Sequence, residues 1–148
     1  RNNPLYRALR CDKLTLFALE WTLQKILSHE SATRETEDLL NRPQQDLIAT
    51  GREIVDSIEE RIIRRLGVAI IKTEVETGSG SLPTQKSDSA GLLFANIKAE
   101  KIAEILRNLD IPVIGYIKAD RFVIDLKAVR ENEISSLIQN IKKVSEMV

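Results

Sequence analysis

A single cysteine, Cys11, stands among 148 residues, so no disulfide can close within the chain. That suits a reducing compartment, and the cytoplasm is the expected location. Cys11 has no neighbouring histidine in sequence and reads as a buried thiol, not a nucleophile. The one histidine, His29, has no Cys or His near it, so it reads as a helix-end cap and no metal site is expected. Excess charge of either sign is missing too: Lys plus Arg and Asp plus Glu both total 22. A neutral chain is no obvious grip for nucleic acid, because phosphate neutralisation dominates such binding. Any nucleic-acid contact is expected from other polypeptide or from a local patch. No apolar run approaches the roughly eighteen residues of a membrane span. The opening Arg1-Asn2-Asn3-Pro4 lacks the apolar core of a signal peptide and an initiator methionine, which simple processing or trimming would explain. Internal repeats and low-complexity tracts are also absent.

What is present is ordinary for a soluble globular chain, 43% apolar and 30% charged. Leu16, Leu19, Leu23, Ile26 and Leu27 recur at helical spacing and predict a helix over 12–28, with Asp12 at its N-cap. Its apolar stripe must pack against something, and a subunit or domain contact is expected; Phe17 and Trp21 read as core or interface residues. Residues 29–41 read as a polar connection with one helical turn at 37–40. Pro43 suits the first turn of a second helix running to Leu66-Gly67, with Leu47, Ile54, Val55, Ile58 and Ile62 inward and Gly51 allowing close approach. Arg61, Arg64 and Arg65 in its last turn read as helix-end charge and not as a ligand patch.

After Gly67 the period changes. Strands are predicted over 68–75, 91–97, 111–117 and 121–126, with a polar loop from Thr77 to Ser89. Lys118-Ala119-Asp120 reads as a tight hairpin, which forces antiparallel pairing. Short helices follow at Ile102–Leu109 and Ile134–Val144. The fold class is α+β: long helices leading into a small antiparallel sheet covered by helices on one face.

Arg7 and Arg10 are the leading chemical candidates. At i and i+3 they share a helix face, and guanidinium forks match phosphate-type oxyanions in two-point contacts. Taken alone, the spacing favours the plainer reading, pairing with surface carboxylates such as Asp12 or Glu20. Gly78, Gly80 and Ser81 form a small-residue loop that suits either an anion nest or a plain connection.

The segment from Asn3-Pro4-Leu5-Tyr6-Arg7-Ala8-Leu9-Arg10 through Cys11-Asp12-Lys13-Leu14-Thr15-Leu16 resembles a motif of bacterial selenocysteine synthases. Only Cys11 departs notably, where a small apolar residue is usual. Gly78-Ser79-Gly80-Ser81-Leu82-Pro83 is similar to that family's Gly-Gly-Gly-Ser-Leu-Pro, with Ser79 for a glycine. Pro112-Val113-Ile114-Gly115-Tyr116-Ile117 and Val123-Ile124-Asp125-Leu126-Lys127-Ala128-Val129 resemble the family's Pro-Val-Ile-Gly-Arg-Ile and Leu-Leu-Asp-Leu-Arg-Thr-Val.

The resemblance implies the C-terminal part of a fold-type-I pyridoxal 5'-phosphate enzyme. Residues 1–66 would be the tail of the cofactor domain with connecting helices, and 67–148 the small C-terminal domain. The whole enzyme would convert seryl-tRNA(Sec) to selenocysteinyl-tRNA(Sec). It would take selenophosphate as donor and form a homo-oligomer with active sites at subunit interfaces. Arg7 and Arg10 inherit donor binding, and Gly78, Gly80 and Ser81 an active-site loop. The cofactor's lysine would lie upstream, so no lysine here inherits that role and the fragment alone would be inactive. Two rival readings stay open: a related lyase acting on a small phosphorylated acid, and a non-catalytic interaction module.

Overall fold

The computed structural model describes residues 11–28, 35–76 and 86–148. Two compact units divide the chain, Arg1–Asp38 and Leu39–Val148. In the first lies α1, Lys13–Leu27. Asp12 caps it, accepting from Thr15 N at 2.9 Å and Thr15 Oγ1 at 2.7 Å. Those bonds, the backbone one first, hold the Asp12 carboxyl below the ordinary carboxylate range. Cys11, just ahead of the cap, is exposed, which corrects the expectation of a buried thiol. Nor are Phe17 and Trp21 core residues of this unit; both are exposed.

Helix α2, Glu35–Asn41, crosses the unit boundary and is longer than the single turn predicted. The second unit continues with α3, Gln44–Asp56, and α4, Glu60–Leu66. Pro43 sits at the N-cap of α3, and its carbonyl accepts from Asp46 N and Leu47 N. The predicted single helix from Pro43 to Leu66 is therefore two. Ser57 ends α3 with its Oγ donating back to Glu53 O at 2.7 Å, and Glu59 is extended at ψ 134°. The break lets Ile58 and Ile62 enter the same core as Leu47 and Ile54. Gly67 closes α4 in the left-handed region, at φ 65°, where a Cβ would stand 2.7 Å from Asn96 Cγ. The basic last turn is used locally: Arg64 pairs with Glu60, and Arg65 donates to the carbonyl of Val148.

Four antiparallel strands follow, in the order β1-β2-β4-β3: β1 Val68–Glu76, β2 Lys86–Phe94, β3 Tyr116–Lys118 and β4 Arg121–Asp125. Helix α5, Ala99–Arg107, joins β2 to β3. A 3₁₀ turn, Glu131–Glu133, leads from β4 into α6, Ile134–Met147. The β, β, α, β, β, α order after Gly67 is the one predicted, but two strands start elsewhere. β2 begins at Lys86, because its polar half pairs residue for residue with β1, from Ser89 opposite Thr73 to Lys86 opposite Glu76. β3 starts only at Tyr116, because Pro112 has no N–H to give and Val113 N donates to Leu106 O instead.

Residues opposite one another in an antiparallel pair share a sheet face. Ile70, Leu92 and Ile124 therefore point one way, with Val68, Phe94 and Phe122 beside them. On that face gather Leu47, Ile54 and Leu66 from α3 and α4, Ile102 and Leu106 from α5, and Leu137 and Ile141 from α6. At Gly51 a Cβ would come within 3.2 Å of Leu126 Cδ1, so α3 lies close on the sheet. Each large side chain buried there contributes about 1.5–3 kcal/mol relative to exposure.

Candidate functional site

The other sheet face carries the polar chemistry. Strand alternation puts Thr73, Ser89, Gly91 and Asp125 on it, behind the apolar core. Asp125 accepts from Thr73 Oγ1 at 2.7 Å, Ser89 Oγ at 2.6 Å and its neighbour Lys127 N at 3.0 Å. Thr73 and Ser89 are buried, so their hydroxyls need these bonds. Tyr116 belongs to the same cluster. Tyr116 is 36% exposed; its partial burial pushes the phenol above the ordinary value, the Asp125 carboxylate adds to the rise, and a hydrogen bond with Thr73 opposes it.

Lys127, 4% exposed, is a buried lysine. Its ammonium has three donors and gives them to Ser87 Oγ at 2.7 Å, Asp88 O at 2.8 Å and Arg42 O at 3.4 Å. Arg42 answers from the α2–α3 junction, donating through Nη1 to Val129 O at 2.7 Å and Leu126 O at 3.3 Å. Gln44 Nε2 donates to Ser89 O at 2.6 Å. A polar cleft of about 450 Å³ opens beside these groups, lined by Arg42, Gln44, Lys86, Ser87, Asp88 and Lys127.

This arrangement fastens the fold. The Asp125 carboxylate is taken up by three donors and the Lys127 ammonium by three acceptors, so neither is a free base or nucleophile. What it holds is the foot of the β1–β2 hairpin. Residues 77–85 leave from Glu76 and return at Lys86, which are register partners, and Ser87, Asp88 and Ser89 are pinned directly after the return. The predicted loop residues Gly78, Gly80 and Ser81 belong to that connection and lie outside the described residues. Arg7, Arg10 and His29 lie outside them as well.

Sequence reasoning passed over Asp125, Lys127 and Arg42 as functional groups. A signal was there: Asp125 and Lys127 are polar at alternate positions of an apolar run, the pattern of a strand whose second face is not simply solvated. A second, more apolar cleft of about 380 Å³ lies between residues 111–114 and α6, where Asn140 spends its amide on Ile111 O at 2.8 Å. Among the described residues, no cluster of three or more His, Cys, Asp or Glu side chains could hold a metal, and no helix is long and apolar enough to cross a membrane.

A family model described as L-seryl-tRNA selenium transferase matches residues 1–130. The L-seryl-tRNA(Sec) selenium transferase of Escherichia fergusonii is 34% identical over 138 residues, covering 88% of this chain and 30% of the relative. The protein of the same name from Haemophilus influenzae strain PittEE is 30% identical over 131 residues, covering 85% and 28%. That of Hyphomonas neptunium is 28% identical over 149 residues, covering 98% and 32%. The chain thus spans about 30% of the length of the curated relatives it matches. The family match runs unbroken from the double-arginine segment through Asp125 and Lys127, and on it the chain belongs to the L-seryl-tRNA selenium transferase family.

Proposed function

We propose that this chain is the C-terminal part of an enzyme that converts seryl-tRNA(Sec) to selenocysteinyl-tRNA(Sec), with selenophosphate as the selenium donor. The observation that carries the reading is the family match over residues 1–130, which takes in both arginines and the glycine-serine loop. Residues 1–66 then continue the cofactor domain, and 67–148 form the small domain. The boundary at 66–67 is one of sequence period; the described packing also draws α3 and α4 into the sheet's core.

In this reading Arg7 and Arg10 hold the anionic donor. Two guanidinium forks on one face fix an oxyanion in position as well as neutralising it. The polar cluster around Asp125 and Lys127 acts at one remove, setting where the loop with Gly78, Gly80 and Ser81 begins and ends. The enzyme works as a cytoplasmic homo-oligomer whose subunits complete one another's sites.

Pyridoxal 5'-phosphate, the cofactor this family implies, would supply an electron sink when bound. The polar cluster around Lys127 does not fit it. Lys127, a buried amine, has every donor committed to protein oxygens and offers none to a cofactor. The family resemblance is what puts the cofactor's lysine upstream of this chain, and on that reading residues 1–148 alone should be inactive.

The test is substrate choice by the full-length protein. It should form selenocysteinyl-tRNA from seryl-tRNA(Sec) and selenophosphate. Turnover of small phosphorylated sugar acids or amino acids, with the charged tRNA untouched, would replace this reading with the related lyase.

A further inference from the structure

Helix α1 carries two apolar rows. Leu16, Leu19, Leu23, Ile26 and Leu27 follow three- and four-residue steps along one side. Leu14, Phe17 and Trp21 follow the same steps along the roughly opposite side. Two narrow strips of small or polar residues separate the rows. One holds Thr15, Ala18, Thr22 and Lys25; the other holds Lys13, Glu20 and Gln24.

The strips satisfy themselves locally. Thr22 Oγ1 donates to Ala18 O at 2.7 Å, Gln24 Nε2 to Glu20 Oε1 at 3.5 Å, and Lys25 Nζ lies 5.6 Å from the Trp21 ring centroid. The rows do not satisfy themselves. Their side chains are between 49% and 80% exposed, and no residue of the helix is buried.

A helix with one apolar row lies on a surface with its back to water, whereas one apolar on both sides belongs inside a larger body. We propose that α1 is inserted between two layers of the polypeptide that precedes Arg1 in the intact protein, one layer against each row. The proposal rests on reading this chain as the C-terminal part of a longer enzyme. The relatives provide for such an occupant, since the matched stretch is only about 30% of their length. A second copy of this chain fits less well: a two-fold contact uses one patch of the helix and would leave the opposite row in water.

Hydrogen exchange of the full-length protein, read by mass spectrometry on peptides spanning Leu14–Leu27, tests the proposal. The amides should exchange at least about a thousandfold slower than in an unstructured peptide, equally in dilute and concentrated protein. Protection below about tenfold overturns it. So does protection that vanishes on dilution to protomers, which would assign the cover to a second copy. Leu19→Ser and Phe17→Ser, one on each row, should each speed exchange along α1 about tenfold or more; a row whose variant changes nothing overturns the two-layer cover. Neither readout involves donor turnover, so α1 can fail this test while Arg7 and Arg10 pass theirs, and the reverse.

Discussion

Asp125 is the residue on which the polar face turns. It gathers a strand hydroxyl from β1, another from β2 and the N–H of Lys127, all of which lose their acceptor if the carboxylate goes. Hydrogen bonds to a charged group contribute about 1.5–3 kcal/mol each, and donors left buried and unpaired add their own cost. Asp125→Ala should therefore lower stability by about 3 kcal/mol or more, read from the urea midpoint. Asp125→Asn should recover part of that loss, because its amide oxygen can still accept from Ser89 Oγ and Lys127 N while its NH₂ donates to the Thr73 hydroxyl. Tyr116 reports the same cluster by pH. Its folded phenol holds its proton above the ordinary value of 10.0, chiefly through burial and then through Asp125. The sign follows: this contribution to stability is present below pH 10 and is lost as pH climbs from there through the raised folded value. Ultraviolet titration in a Tyr6→Phe background should place the Tyr116 midpoint above 10, and Asp125→Asn should move it down. A midpoint unmoved by that substitution would mean that the carboxylate does not act on the phenol. The alternating pattern marked Asp125, but its partners were not legible in the sequence, because it meets Thr73 and Ser89 across strands that are far apart along the chain.

At the scale of elements, local pattern and tertiary demand divide the outcome. Helix α1 was legible because its apolar residues keep helical spacing and Asp12 supplies a cap within three residues of its partner. The β3–β4 hairpin was legible because only Ala119 and Asp120 lie between paired Lys118 and Arg121. The break between α3 and α4 was not, since neither glycine nor proline marks Ser57-Ile58-Glu59; burial of Ile58 and Ile62 decides it. The polar start of β2 was hidden for a similar reason, its strand state coming from β1 across the register. The hairpin turn gives a sharp prediction. Both its residues have positive φ, 50° at Ala119 and 57° at Asp120, the pattern of a type I′ turn. Asparagine tolerates that region where alanine is strained by about 1–2 kcal/mol. Ala119→Asn should stabilise the protein by about 0.5–1 kcal/mol, seen as a higher thermal midpoint, and Ala119→Val should lower it. The reverse order would mean that the turn does not hold these angles in solution.

For the whole molecule, the chain spans about 30% of its relatives' length, and the proposed function makes it one part of a larger active site. The unit Leu39–Val148 has its own apolar core and its own polar fastening. Helix α1 does not; its apolar rows are open. Under the proposed function, formal neutrality leaves no general attraction for tRNA, so any contact this chain makes with it would be local. The family was legible in the order of the motifs, above all in the two arginines three residues apart. The fastening at Asp125 and Lys127 emerged only from the fold, although both residues fall in a stretch that resembles the family. The most direct measurement is the donor dependence of full-length protein carrying Arg7→Ala or Arg10→Ala. Each lost charge-assisted contact should raise the KM for selenophosphate by roughly ten- to a hundredfold, with the cofactor's absorbance unchanged. Donor kinetics identical to the parent protein in both variants would contradict the account.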